Sequence, residues 1–167
     1  VRVRQEFDGA RLTDVGGAVR ETLRGSGVLR GVKPGMRVAV TAGSRGIANI
    51  ALILRTITEA LREAGAAPFV VPAMGSHGGA TAEGQLDVLR SLGITEDYLG
   101  CPVESSMEVR EIGRTPDGRP VQIDARAAAA DGIVAVNRVK PHTSFTGPYE
   151  SGLMKMLAIG LAKQAGA

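Results

Sequence analysis

The chain has 167 residues, enough for one domain that buries roughly 70% of its unfolded surface, and its single cysteine, Cys101, rules out an intrachain disulfide scaffold and fits a reducing cytoplasm. A formal charge of +3 and a sequence pI near 9.4 come from arginines scattered along the chain, and with 3 Phe, 2 Tyr and no Trp there is neither a clustered basic patch nor a set of stacking rings. That composition excludes nucleic acid as a partner and leaves anionic small molecules.

Taken in chain order, Val1-Arg2-Val3-Arg4-Gln5 leads into a charged segment rather than the apolar core of a signal peptide. Thr13 is placed to cap a short helix over Asp14 to Arg24, with Asp14 set favourably against the helix dipole, and Gly25-Ser26-Gly27 ends it. Lys33-Pro34-Gly35 is a turn, after which Arg37-Val38-Ala39-Val40-Thr41 has the short, β-branched, apolar character of a buried parallel strand. The tight loop Ala42-Gly43-Ser44-Arg45-Gly46 follows, and Ile47, Ile50, Leu54, Ile57 and Leu61 then recur at helical spacing up to Gly65. Pro68-Phe69-Val70-Val71-Pro72 reads as the second strand, and Thr81 as the N-cap of a helix carrying Leu86, Leu89 and Leu92. In such a β-α-β-α unit the crossovers are right-handed and the strands parallel, so the loops holding Arg45 and His77 should emerge on one edge of the sheet.

The middle of the chain is of another kind. Glu108 to Ile112 and Pro120 to Asp124 alternate polar and apolar residues around Pro116-Asp117-Gly118, the signature of a solvent-facing β-hairpin. Ala125 to Ala130 is a short helix, Ile133 to Val136 a buried strand, and Ser151 to Lys163 a helix apolar on nearly every side. The longest apolar stretch, Leu153 to Leu161, contains Lys155 and is far too short to span a bilayer, so no membrane partner is expected and the protein should be soluble and cytoplasmic. The fold expected is α/β, a Rossmann-like three-layer sandwich with a largely parallel sheet and an added antiparallel hairpin, in one domain over residues 1–167. Opening without Met and stopping just after an apolar segment, the sequence reads as part of a longer polypeptide.

Both histidines, His77 and His142, lie in Gly/Pro-rich turns directly after buried strands, where sites assemble in α/β folds. Gly75-Ser76-His77-Gly78-Gly79 lets the main chain approach a ligand closely, and an imidazole needs little shift to exchange protons near neutral pH. Two imidazoles facing one carbon are what a racemase or epimerase needs; the plainer alternative is a turn histidine bonded to its neighbours. Arg45, opening a helix after a buried strand, is suited to hold a phosphate or carboxylate, unless Ser44 merely caps that helix and Arg45 is solvated. Lys155 among Leu153, Met154, Met156, Leu157 and Ile159 must snorkel outward, lose its charge or be covalently occupied. His77 and His142 are too few for a closed metal site, and neither turn holds Asp or Glu, so no metal ligand set is expected within the chain.

In that order, Gly43-Ser44-Arg45-Gly46, Gly75-Ser76-His77-Gly78-Gly79, Lys140-Pro141-His142 and Ser151-Gly152-Leu153-Met154-Lys155 resemble the motifs of the lactate racemase family. The likeness is to the N-terminal domain of its nickel-pincer-nucleotide enzymes, and runs from about Arg37 to the C-terminus. The resemblance implies racemisation or epimerisation of a 2-hydroxy acid by hydride transfer to the cofactor and back. It gives His77 and His142 alternating base and acid roles on the hydroxyl. Lys155 would carry the cofactor through an amide-type link, and Arg45, with Ser44 and Gly46, would contact the cofactor phosphate or the substrate carboxylate. It also implies a second, C-terminal domain of the same polypeptide and a nickel-ligating histidine a few residues beyond Ala167, so that residues 1–167 alone would be inactive. Better-known members carry an aspartate three residues before the arginine, where this chain has Ala42; the Pro-His to Lys interval is longer here, and Leu153 and Met154 replace Gly/Arg-type positions. These departures point to a different substrate. A related enzyme of another hydroxy or sugar acid, and a non-catalytic anion- or nucleotide-binding domain, are the competing readings.

Overall fold

A computed structural model describes residues 3–4, 9, 12–140, 144, 146–148 and 150–166. Its centre is a parallel sheet of β1 (Arg37–Ala42), β2 (Ala67–Pro72) and β5 (Gly132–Val134) in the order β2-β1-β5. β1 lies in register with β2 from Arg37↔Ala67 to Ala42↔Pro72, and with β5 from Val38↔Gly132 to Val40↔Val134. Beyond β2, Val103 forms an isolated parallel bridge to Val70.

The alternation of side chains along a strand sends this apolar sheet into two cores. Val38, Val40, Ala42 and Val70 join Leu54, Ile57, Leu61 and Leu89 on one face, under α2 (Ile50–Glu63) and α3 (Ala82–Ser91). Ala39, Phe69 and Val71 join Ala127, Met156 and Leu161 on the other, under α5 (Ala125–Ala128) and the C-terminal segment. Three layers result, as the apolar pattern on both strand faces requires. α1 (Val15–Gly25) packs on α2 from outside, with Val19 and Leu23 against the first core. β3 (Val109–Arg114) and β4 (Pro120–Asp124) pair as a separate antiparallel hairpin, largely exposed, with a bulge between Glu111 and Gly113. No helix among the described residues is long and apolar enough to cross a membrane.

Several boundaries differ from the sequence expectation. Asp14, not Thr13, caps α1, its carboxylate accepting from Gly17 N at 2.8 Å. A short helix α4 (Glu96–Leu99), capped by Thr95, follows α3 and had no apolar period long enough to announce it. The expected helix from Ser151 to Lys163 is broken into α6 (Leu153–Lys155), a π-helical turn at Met156–Gly160 and a 3-10 turn at Lys163–Gly166. Tertiary contacts override the helical period here: Gly160 lies so close to the end of β2 that a Cβ on it would sit 2.6 Å from Ala73 O, and Lys163 takes a left-handed φ of 56° that stops the helix. Leu153, Met154, Leu157 and Ile159 are left exposed on this segment.

Candidate active site

The three central strands are parallel, so the loops leaving their C-terminal ends meet on one edge, and the chain reverses direction across the sheet between β1 and β5. A cleft of about 620 Å³ opens there. The loop after β1 contributes Gly43 to Ile47, the loop after β2 contributes Ala73 to His77, the segment after β5 contributes Asn137, Arg138 and Lys140, and the C-terminal segment contributes Ser151, Gly152, Lys155, Met156, Ile159 and Gly160. Arg45, His77 and Lys155, far apart in sequence, therefore share one cavity wall. His142, Pro141 and Thr143 lie outside the described residues.

The loop after β2 is tied down at both ends. Gly75 N donates to Gly160 O at 3.1 Å, which fixes the turn bearing His77 against the segment bearing Lys155. Gly78 (φ 68°) and Gly84 pack backbone to backbone, and a Cβ on Gly84 would stand 1.9 Å from Gly78 O. Thr81 caps α3 through Gly84 N at 3.1 Å, so the helix starts where the turn ends. Across the cleft, Val136 N donates to Thr41 Oγ1 at 2.9 Å, which prolongs the chain beyond β5 along β1 and delivers Asn137 and Arg138 to the rim.

His77 is exposed to the cleft, and its Nδ1 lies 2.5 Å from Ser44 Oγ. With Nδ1 engaged, Nε2 is the nitrogen left for chemistry. A hydroxyl both donates and accepts, so Ser44 can face Nδ1 in either neutral tautomer and in the imidazolium. This contact answers the sequence alternatives for both residues. His77 does bond a neighbour, but one from the other loop of the cleft, and Ser44 does not cap α2. That helix begins later, at Ile50, behind Asn49, whose φ is 62° and whose side chain makes no capping bond. The loop Gly43 to Gly46 is consequently not the N-terminus of a helix, and anion affinity there rests on the Arg45 guanidinium rather than on the α2 dipole.

Electrostatically the cleft is one-sided. Among the described residues that line it are the cations Arg45, Arg138, Lys140 and Lys155, and no carboxylate. Arg45 is exposed and makes no ion pair with a described residue. Lys155 is also exposed, and resolves its apolar neighbourhood by reaching into the cleft while Met156 and Gly160 take the buried positions. Among the described residues no group of three or more His, Cys, Asp or Glu could hold a metal ion. Cys101 is buried away from the cleft, and burial pushes its thiol above the usual range, partly offset by a hydrogen bond from Thr58.

Sequence reasoning missed Arg138 and Lys140 as cleft cations, although their place soon after an apolar strand is the signal that exposed His77; that strand, expected to be buried from Ile133 to Val136, spans Gly132–Val134 and leaves Ile133 exposed. It also missed a buried trio behind the cleft: Lys163, Gln85 and Asp124, each fully buried. Lys163 ends the same apolar run that drew attention to Lys155, which is the signal that was available.

No curated protein matches the chain significantly. The family model described as lactate racemase N-terminal domain matches residues 10–166, nearly the whole chain. The chain belongs to the family of lactate racemase N-terminal domains.

Proposed function

We propose that this domain supplies the proton-transfer and anion-holding residues of an enzyme that racemises or epimerises a 2-hydroxy acid. The observation that carries this reading is the convergence of Arg45, His77 and Lys155 on one carboxylate-free cleft at the C-terminal edge of the parallel sheet. Arg45 is the bidentate-capable donor for a substrate carboxylate or a cofactor phosphate, with Arg138 and Lys140 adding positive field across the opening. His77, held at Nδ1 by Ser44, offers Nε2 to the substrate hydroxyl, to accept its proton on oxidation to the keto acid and to return one on reduction, the hydride being what a bound cofactor would take up and give back. His142, two residues after cleft-lining Lys140 in sequence, takes the same part for the opposite hand of the substrate.

A cleft of about 620 Å³ with four cations on its wall, one of them the primary amine of Lys155, supports a nickel-pincer nucleotide, an anionic group, as the cofactor held here. Lys155 would hold the group through an amide-type link, and Arg45, Ser44 and Gly46 would lie against it. When bound, the group would supply the hydride acceptor that no protein side chain provides. The exposed apolar side chains Leu153, Met154, Leu157 and Ile159 are the surface we assign to the second domain of the polypeptide.

The test uses the full-length protein produced together with the cofactor-synthesis enzymes. A mass increase on Lys155 that disappears in Lys155→Ala is expected, and His77→Gln and His142→Gln should each lower kcat by about 10²–10⁴-fold with substrate binding retained. No adduct on Lys155, or wild-type turnover in both histidine variants, overturns the reading. Weakened anion binding in Arg45→Ala with no effect at His77, His142 or Lys155 would instead identify a non-catalytic anion-binding domain. Profiling of 2-hydroxy acids against sugar acids decides the substrate.

A further inference from the structure

Behind the wall of the cleft, Lys163, Gln85 and Asp124 form a contact unit with no solvent exposure. Three acceptors surround the ammonium of Lys163: Pro72 O at 2.5 Å, Gln85 Oε1 at 3.2 Å and Asp124 Oδ2 at 3.0 Å. The last is an ion-pair contact without hydrogen-bond alignment, and Asp124 Oδ1 is committed elsewhere, accepting from Arg126 N and Ala127 N at 2.9 Å each. The Gln85 amide, in turn, spends both hydrogens on the loop after β2: Nε2 donates to Gly75 O at 2.8 Å and to His77 O at 3.2 Å.

We propose that Gln85 and Lys163 are positioning residues for His77: the buried ammonium fixes which way the Gln85 amide faces, and the amide holds the Gly75 to His77 turn so that the imidazole meets Ser44. This rests on the reading of His77 as the proton-transfer group. A protonated amine has donors only, so Oε1 must face Lys163 and Nε2 must face the two carbonyls. Reversing the amide would point N–H at an ammonium and oxygen at two carbonyl oxygens. The turn needs the outside hold. Gly75, Gly78, Gly79 and Ala80 all have positive φ, between 55° and 68°, and the stretch is held internally only by single-turn bonds such as His77 N to Met74 O at 3.2 Å and Ala80 N to Ser76 O at 3.0 Å. Lys163 itself has a left-handed backbone, a strained state for a lysine that persists only where the surroundings dictate it.

The test is NMR of selectively ¹⁵N-histidine-labelled full-length protein, with His77 ring signals assigned by their loss in His77→Gln, alongside thermal melts and turnover. Gln85→Leu, Gln85→Glu and Lys163→Met should each move the His77 Nδ1 signal toward that of a free imidazole. In the loaded enzyme kcat should fall about 10- to 100-fold with KM little changed. Lys163→Arg, which keeps the donors, should restore much of the signal. Leu54→Ala, a core variant in α2 that touches neither Gln85 nor Lys163 through a hydrogen bond, should lower the melting temperature without moving the His77 signal. An unchanged His77 signal in Gln85→Leu and Gln85→Glu overturns the proposal, whatever Lys163→Met does to folding. Wild-type turnover in His77→Gln with a shifted signal in the Gln85 variants would instead sink the catalytic reading and leave the positioning intact.

Discussion

A serine on Nδ1 suits an imidazole that must both take and give a proton. A carboxylate in that place would hold the ring as imidazolium and favour only one half of the cycle, whereas the Ser44 hydroxyl at 2.5 Å rotates to donate to Nδ1 or to accept from it. Ser44→Ala should therefore leave the fold intact and lower kcat about 3- to 10-fold, the worth of one neutral hydrogen bond of about 1 kcal/mol. Ser44→Thr should recover part of the loss, since it keeps the hydroxyl. Steady-state kinetics of the two variants check this; equal rates for Ser44→Ala and wild type would show that His77 needs no partner at Nδ1.

Among the elements, the C-terminal segment sets the spacing of the cleft. Gly160 brings it against the end of β2, where its carbonyl accepts from Gly75 N, and a methyl group there would meet Ala73 O at 2.6 Å and Met156 Sδ at 3.0 Å. The first of these is backbone and cannot swing away. Gly160→Ala should destabilise the fold by about 1–3 kcal/mol and move Lys155 away from His77, with kcat falling along with stability. Gly113→Ala, in the exposed hairpin with nothing within 4 Å of the added carbon, should stay within about 0.5 kcal/mol of wild type. Urea titrations of both variants give the comparison. This segment is also where sequence reasoning stopped short. β1 and β2 were legible because their apolar runs are flanked by glycine and proline, and the hairpin because its period is two. Arg45 and His77 could be placed on one sheet edge from handedness alone. The unbroken helix expected from Ser151 to Lys163 failed because the apolar pattern continues through a stretch whose backbone is bent by contacts at Gly160 and Lys163, and periodicity carries no information about such contacts. Gln85 was invisible for a related reason: a glutamine in an amphipathic helix reads as a solvated position, and only the folded chain puts two carbonyls and an ammonium around it.

For the molecule as a whole, the second core is closed by a charge. Lys163 and Asp124 join the end of β2, α3, the hairpin and α5 in a site with no access to water, so their energetics bear on the stability of the entire fold. Removing one partner strands the other, and Asp124→Asn should destabilise by about 3–5 kcal/mol, more than the paired change Asp124→Asn with Lys163→Met. The pH dependence follows from the direction in which Lys163 is displaced. Burial lowers its ammonium below the ordinary 10.5; attraction to Asp124 works against this, and Arg126 adds to it. Below the lowered native value the amine is charged in both states and the native state bears the full penalty of burying it. Between that value and 10.5 the unfolded chain binds a proton that the native chain has released, so this group's contribution to stability rises with pH across the window and levels off above it. Melting wild type and Lys163→Met in parallel from pH 7 to 10.5 cancels the titrations of groups that do not touch Lys163, and the difference should move in favour of wild type as pH increases. A difference that moves the other way would mean that the native state grips the proton more tightly than water does, and that the carboxylate, not burial, governs this site.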